Sequence, residues 1–197
     1  NDTWITDINT YVEFRETPMR ALAELLKDRG LVSARIGIEK NFLAACYVEE
    51  LAASLPGATL VGADPVFDAA RAVKTPAEIE ILTKAATSTE KAILASFQTA
   101  KPGDTEKKVA DEMTARVLNA GATSRWIVFA AGENTAVNHP FPGSKTLDRG
   151  NILRVDFGAV FGGYQSDVAR TAVIGPPNDE QRSIYKRLLE VQKDTIA

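Results

Sequence analysis

Three side chains in this sequence have types and spacing that suit hydrolytic chemistry: Asp156, Asp167 and His139. Two β-rich runs, Ile152 to Phe161 and Tyr164 to Ile174, flank Gly162-Gly163, a dipeptide suited to a two-residue hairpin turn. With the turn there, Asp156 falls opposite Ala169 and Asp167 opposite Gly158. Side chains alternate faces along a strand, so the two aspartates share a face as diagonal neighbours, with Cβ atoms roughly 7 Å apart or less. A register slip of one residue would send them to opposite faces. Two unpaired carboxylates this close repel, and one tends to stay protonated, whereas a divalent cation removes the conflict. Gly158 and Ala169 carry almost no bulk, and the expectation is that they leave room for an ion. Spacing alone also fits a solvated hairpin face. His139, beside Pro140, likewise has two readings: a loop histidine bonded to backbone, or a donor at a reacting carbonyl that titrates near neutral pH.

The elements that must carry these residues can be read along the chain. Thr17-Pro18 caps a helix that runs to Gly30. Ala34 to Glu39 reads as a strand, Phe42 to Ser54 as a helix and Thr59 to Gly62 as a second strand, a parallel strand–helix–strand unit. Asp64-Pro65 opens a short helix. Composition changes near Val73, and Thr75-Pro76-Ala77-Glu78 is a capping box that starts a long helix. Its apolar stripe is expected to be Ile79, Leu82, Ala86, Ile93, Leu94 and Phe97, ending at Lys101-Pro102-Gly103. Asp104 is expected to cap the next helix, through Leu118, followed by a strand from Trp126 to Ala131. A polar loop from Gly132 to Asp148 holds His139 and leads into the hairpin. Asn178 caps a final helix with Ile184, Leu188, Val191 and Ile196 expected inward. Helices followed by antiparallel strands make the second region α+β. The division expected is residues 1–72, the end of a small α/β domain, and residues 73–197, part of a larger one.

Composition narrows the function classes. Net charge is −3, so no global basic field argues for nucleic acid or an anionic membrane as partner. No apolar run approaches the roughly 20 residues of a membrane span. The single Cys46 cannot form an internal disulfide; with no His or basic residue adjoining, it reads as a buried structural thiol on a helix face, and the compartment as cytoplasmic. His139 is the only histidine among 197 residues, so a site needing two imidazoles cannot be completed from them. The sequence begins without Met and stops inside a helical pattern, which gives the expectation of a fragment.

Taken together, these segments resemble the aminopeptidase P, prolidase and creatinase family of pita-bread fold proteins. Val155-Asp156-Phe157-Gly158, followed by Gly163-Tyr164-Gln165-Ser166-Asp167-Val168-Ala169-Arg170-Thr171, is similar to that family's metal-binding hairpin. Lys74 to Ile79 resembles the opening of its catalytic domain, and Lys101 to Glu106 the turn that follows. Gly132-Glu133-Asn134-Thr135 and then His139 resemble the segment with its non-ligand active-site histidine. The resemblance covers about residues 60–197 well and the preceding stretch more loosely.

The resemblance implies that Asp156 chelates one metal, that Asp167 bridges two, and that His139 polarises the scissile carbonyl or stabilises the tetrahedral intermediate. Asp148 and Arg170 match positions read as structural, a turn acid and a strand ion pair. The family's remaining ligands, a histidine and two glutamates, lie in the second half of its fold. They are not among these residues, so this chain alone is expected neither to assemble the dinuclear site nor to cover the inner face of its sheet. The implied activity is hydrolysis of Xaa-Pro bonds, as aminopeptidase or dipeptidase, by a water activated between two divalent ions. Oxygen ligation favours Mn²⁺, with Co²⁺, Fe²⁺ and Zn²⁺ as alternatives. A proline-containing peptide is the implied partner and a homodimer or higher oligomer the implied assembly. Alternatives on the same fold are a metal-dependent lyase, a creatinase-like hydrolase and a non-enzymatic binding module.

Overall fold

The computed structural model describes residues 5–196. The chain divides into two compact units, Asn1–Val73 and Lys74–Ala197. In the first, Thr17 accepts a hydrogen bond from the Arg20 amide and caps α1 (Pro18–Asp28). Strands β1 (Arg35–Ile38) and β2 (Thr59–Gly62) pair in parallel around α2 (Ala45–Ser54), and α3 (Asp64–Ala72) follows. Ala23, Leu51 and Leu55 form the core of this unit. The expected βαβ arrangement holds, although α2 starts later than Phe42. Residues 40 and 41 are held in a turn whose amides donate to the Asp64 carboxylate, and α2 begins after Ala44, an N-cap with no side-chain acceptor. Cys46 is exposed, contrary to expectation, because α2 turns Leu51 and, in part, Tyr47 and Val48 inward and Cys46 outward.

The second unit is α+β, as expected. Its capping box forms in full: Thr75 accepts from the Glu78 amide, and Glu78 accepts from the Thr75 amide at 2.7 Å. Helix α4 (Pro76–Thr99) buries Ala85, Thr89, Ala92, Ile93 and Ser96. The expected stripe is therefore corrected. Ile79 and Leu94 stay about half exposed, and small residues line the contact because α4 packs closely on the sheet. Helix α5 (Glu106–Asn119) is capped by Thr105 instead of Asp104. Asp104 closes the preceding turn, accepting from the Lys101 amide at 3.2 Å and from Lys108 Nζ at 2.6 Å.

The sheet is antiparallel and centred on β4 (Ile152–Phe161), with β3 (Ser124–Ala131) on one side and β5 (Tyr164–Gln165) and β6 (Val168–Val173) on the other. Leu153, Val155, Phe157, Ala159 and Phe161 of β4 join Phe129, Val109, Met113 and Ile93 in one core. The opposite face carries Arg154, Asp156 and Gly158, as the alternation requires. Helix α6 (Asp179–Ile196) buries none of its described residues. Ile184, Leu188, Val191 and Ile196, expected inward, are 44–78% exposed. Ile184, Tyr185 and Leu188 border an open cleft of about 800 Å³ along Ile152, Thr171 and Val173, so among the described residues the stripe has no packed partner.

Candidate metal centre

The two glycines that set the hairpin register adopt φ of +54° and +84°, the left-handed pair that a tight hairpin turn needs. From this turn the register runs unslipped: Phe161 pairs with Tyr164, Val160 with Gln165, and beyond the break Phe157 with Val168 and Asp156 with Ala169. Asp167 therefore comes level with Gly158 and shares a face with Asp156, as the parity of the sequence required.

The second strand is not continuous, which differs from the expected single run. Ser166 and Asp167 leave the ladder between β5 and β6. The Ser166 hydroxyl takes the place of its own carbonyl and accepts the Ala159 amide at 3.0 Å, while the Ser166 amide still donates to the Ala159 carbonyl at 3.0 Å. Thr89 of α4 fixes that hydroxyl at 2.8 Å, a buried contact across 77 residues of sequence. The released Ser166 carbonyl lies over Gly158, 2.4 Å from where a Cβ would stand. The Trp126 indole of β3 lies over the same spot, with Nε1 2.2 Å from it. This corrects the expectation of free room above Gly158: the indole fills it. Trp126 Nε1 is buried without a hydrogen-bond partner among the described residues. On the other side of Asp156, its cross-strand partner Ala169 is exposed.

Asp156 is half-buried, whereas Asp167 and His139 are exposed. Burial pushes the Asp156 carboxyl above the ordinary carboxylate range, and hydrogen bonding to Asp167 and its negative charge add to that. His139 and Arg154 stand near enough for their charge to pull the other way. The structure thus sets Asp156 beside Asp167 and leaves His139 at a distance where Asp156 still feels its charge. Among the described residues the hydrogen bonds that hold the His139 loop run through backbone groups and the side chains of Glu106, Asn134, Thr135 and Arg154, not through the imidazole. Two hard oxygen donors on one rigid face can hold a divalent cation in part. No group of three or more His, Cys, Asp or Glu converges as a complete site among the described residues.

Sequence reasoning missed the residues that hold the His139 loop. The loop opens with a 3₁₀ turn, Gly132–Ala136. Glu106, 1% exposed, accepts the Ala131 amide at 2.8 Å, Asn134 Nδ2 at 3.0 Å and the Gly143 amide at 3.2 Å. Lys145 pairs with Glu133 at 2.6 Å across the loop. Arg154 Nη2 donates to the carbonyls of Val137 and Asn138. The one sequence signal for Glu106 was an acid in the first turn of a helix, obscured by placing the cap at Asp104. Arg170 pairs with Glu90 of α4, the ion pair expected, whereas Asp148 enters its turn through its backbone amide, which donates to Asn151 Oδ1.

Comparison with known proteins agrees with this geometry. Residues 2–73 match the creatinase/prolidase N-terminal domain, and residues 80–197, more than half of the chain, match metallopeptidase family M24. An Xaa-Pro dipeptidase from Pyrococcus furiosus is 35% identical over 135 residues, 68% of this chain and 39% of that protein. The prolidase structure from Pyrococcus furiosus superposes with a TM-score of 0.78 at 30% identity, covering 92% of this chain and 52% of its own. An X-Pro aminopeptidase structure from Thermotoga maritima gives 0.83 at 26% identity, with coverage of 93% and 51%. The chain spans about half the length of these solved relatives. With an unslipped aspartate hairpin and a family match over the whole second unit except its first turns, this chain belongs to metallopeptidase family M24.

Proposed function

We propose that the protein carrying this chain is a metal-dependent peptidase that cleaves the bond before proline, as an Xaa-Pro dipeptidase or aminopeptidase. The observation that carries the proposal is the hairpin register, which sets Asp156 and Asp167 on one face in a chain of this family. The names of the relatives, Xaa-Pro dipeptidase and X-Pro aminopeptidase, support the substrate class. In this reading residues 1–72 end the N-terminal domain and residues 73–197 form the first half of the catalytic one.

Asp156 and Asp167 are the proposed metal ligands, and the residues present fit a cation. Burial, then the hydrogen bond to Asp167 and its negative charge, holds the Asp156 carboxyl above its ordinary range, and a cation between the two carboxylates would relieve the part owed to Asp167. Two carboxylates favour a hard ion, so Mn²⁺ is the proposed metal, with Co²⁺, Fe²⁺ and Zn²⁺ as the alternatives. When bound, two divalent ions supply Lewis acidity and bring the pKa of water toward neutrality. The chain's own contribution is positional. Central strand β4 holds Asp156 rigidly, the Thr89–Ser166 contact fixes the bend that presents Asp167, and the loop brings His139 near Asp156. There the imidazole donates to the substrate carbonyl as negative charge develops on its oxygen. Proline lacks the N–H that other peptidases grip and its ring restricts the backbone, so a bond of this kind calls for a dedicated site.

The test is hydrolysis of an Xaa-Pro dipeptide and of a longer Xaa-Pro peptide by the metal-loaded full-length protein, beside His139→Ala. Loss of at least about a hundredfold in kcat with the variant is expected. Metal-bound protein that cleaves neither peptide would overturn the peptidase reading in favour of the lyase. Cytoplasmic location and a homodimeric or higher assembly belong to the same proposal, checked by cell fractionation and sedimentation.

A further inference from the structure

The loop between β3 and β4 is held from two sides, by Arg154 immediately before His139 and by Glu106 on both sides of it. From the sheet, Arg154 stands two residues before Asp156 on the same face, and its Nη2 donates to the Val137 carbonyl and, at 3.1 Å, to that of Asn138. These are the two carbonyls immediately before His139. From the helix layer, Glu106 Oε1 takes the Ala131 amide and Asn134 Nδ2 upstream of His139, while Oε2 takes the Gly143 amide downstream. A carboxylate only 1% exposed is costly to bury, and here it is matched by three N–H donors from the end of β3 and the loop that follows. An arginine on the carboxylate face turns its Nη2 to loop backbone, and its Nε is buried without a hydrogen-bond partner among the described residues. Packing alone would be served by apolar residues at both positions.

We infer that Arg154 and Glu106 are positioning residues that fix His139 relative to Asp156 and Asp167. The inference rests on the proposed role of His139 at the substrate. Arg154 is tied through strand β4 to Asp156, so one rigid element sets both the carboxylate and the approach of the loop. Glu106 prevents the loop from swinging about its two ends. A displacement of about 1 Å at a catalytic group can lower a rate by about a hundredfold, which is the scale of what these contacts protect.

The experiment is a double-mutant cycle in the metal-loaded full-length protein with Arg154→Met, Glu106→Gln and His139→Ala. Arg154→Met and Glu106→Gln should each lower kcat on an Xaa-Pro dipeptide by about tenfold or more, with KM within about threefold and metal content unchanged. In the His139→Ala background the same changes should lower kcat by less than about twofold. Equal losses in both backgrounds would show that the residues act elsewhere and would overturn the inference. A second readout does not depend on activity: the His139 Hε1 resonance, assigned by its absence in His139→Ala. It should shift and broaden in both variants, and an unchanged resonance would overturn the inference even if the peptidase reading fails.

Discussion

Replacing Gly158 by alanine should damage both the stability of the second unit and the carboxylate pair. The added Cβ would lie 2.2 Å from Trp126 Nε1, 2.5 Å from its Cε2 and 2.4 Å from the Ser166 carbonyl oxygen. Comfortable contact needs about 3.5 Å, so the indole and the carbonyl must each retreat by roughly 1 Å. The indole can tilt. Ser166 cannot yield as readily, because its hydroxyl is bound to Thr89 at 2.8 Å and to the Ala159 amide at 3.0 Å. Overpacking typically costs about 1–3 kcal/mol, and a pinned backbone neighbour points to the upper end. About 3 kcal/mol lowers the folding constant by roughly a hundredfold. Urea unfolding followed by tryptophan fluorescence would measure this, and a Mn²⁺ titration would report the displaced Asp167. Adding Trp126→Ala should recover only part of the loss, since the Ser166 clash remains. A Gly158→Ala protein with the wild-type midpoint and metal affinity would refute the packing described here.

Three further outcomes follow from the same geometry. Ser166→Ala strands the Thr89 hydroxyl and the Ala159 amide in the core, and should cost about 1–3 kcal/mol in urea unfolding, with Thr89→Val costing less. In metal-free protein the raised Asp156 pKa means the folded state holds this proton more tightly than the unfolded chain. That contribution is present below the ordinary aspartate range and is lost as pH rises through the elevated folded value. Metal-free Asp156→Asn should therefore match or exceed wild type in stability at pH 7 and lose its advantage at acid pH; a variant clearly weaker at pH 7 contradicts this. Cys46 should react with a thiol reagent in native protein, a signal absent from Cys46→Ser; protection until unfolding would contradict its exposure.

The hairpin was legible because its information is local. Gly162-Gly163 names the turn, and the two-residue period carries Asp156 and Asp167 to one face whatever surrounds them. What the sequence hid depends on distant partners. Nothing near Gly158 says that Trp126 from the neighbouring strand covers it, and nothing near Ser166 announces the hydroxyl of Thr89 that breaks the strand. The inward face of α4 was misjudged for another reason: hydropathy favours Ile79 and Leu94, whereas a helix seated closely on a sheet selects Ala85, Ala92 and Ser96. Glu106 resembles any surface acid at a helix start until Gly143 and Asn134 close over it. Helix α6 shows the converse, a periodic apolar stripe with no packed partner among the described residues.

The central claim is that Asp156 and Asp167 form one cation-binding face. Its most direct test is Mn²⁺ bound per chain at equilibrium in the full-length protein, measured for wild type, Asp156→Ala and Asp167→Ala, with folding verified by circular dichroism. Both variants should remain folded and lose bound metal. Wild-type metal content in either folded variant would contradict the assignment of that residue.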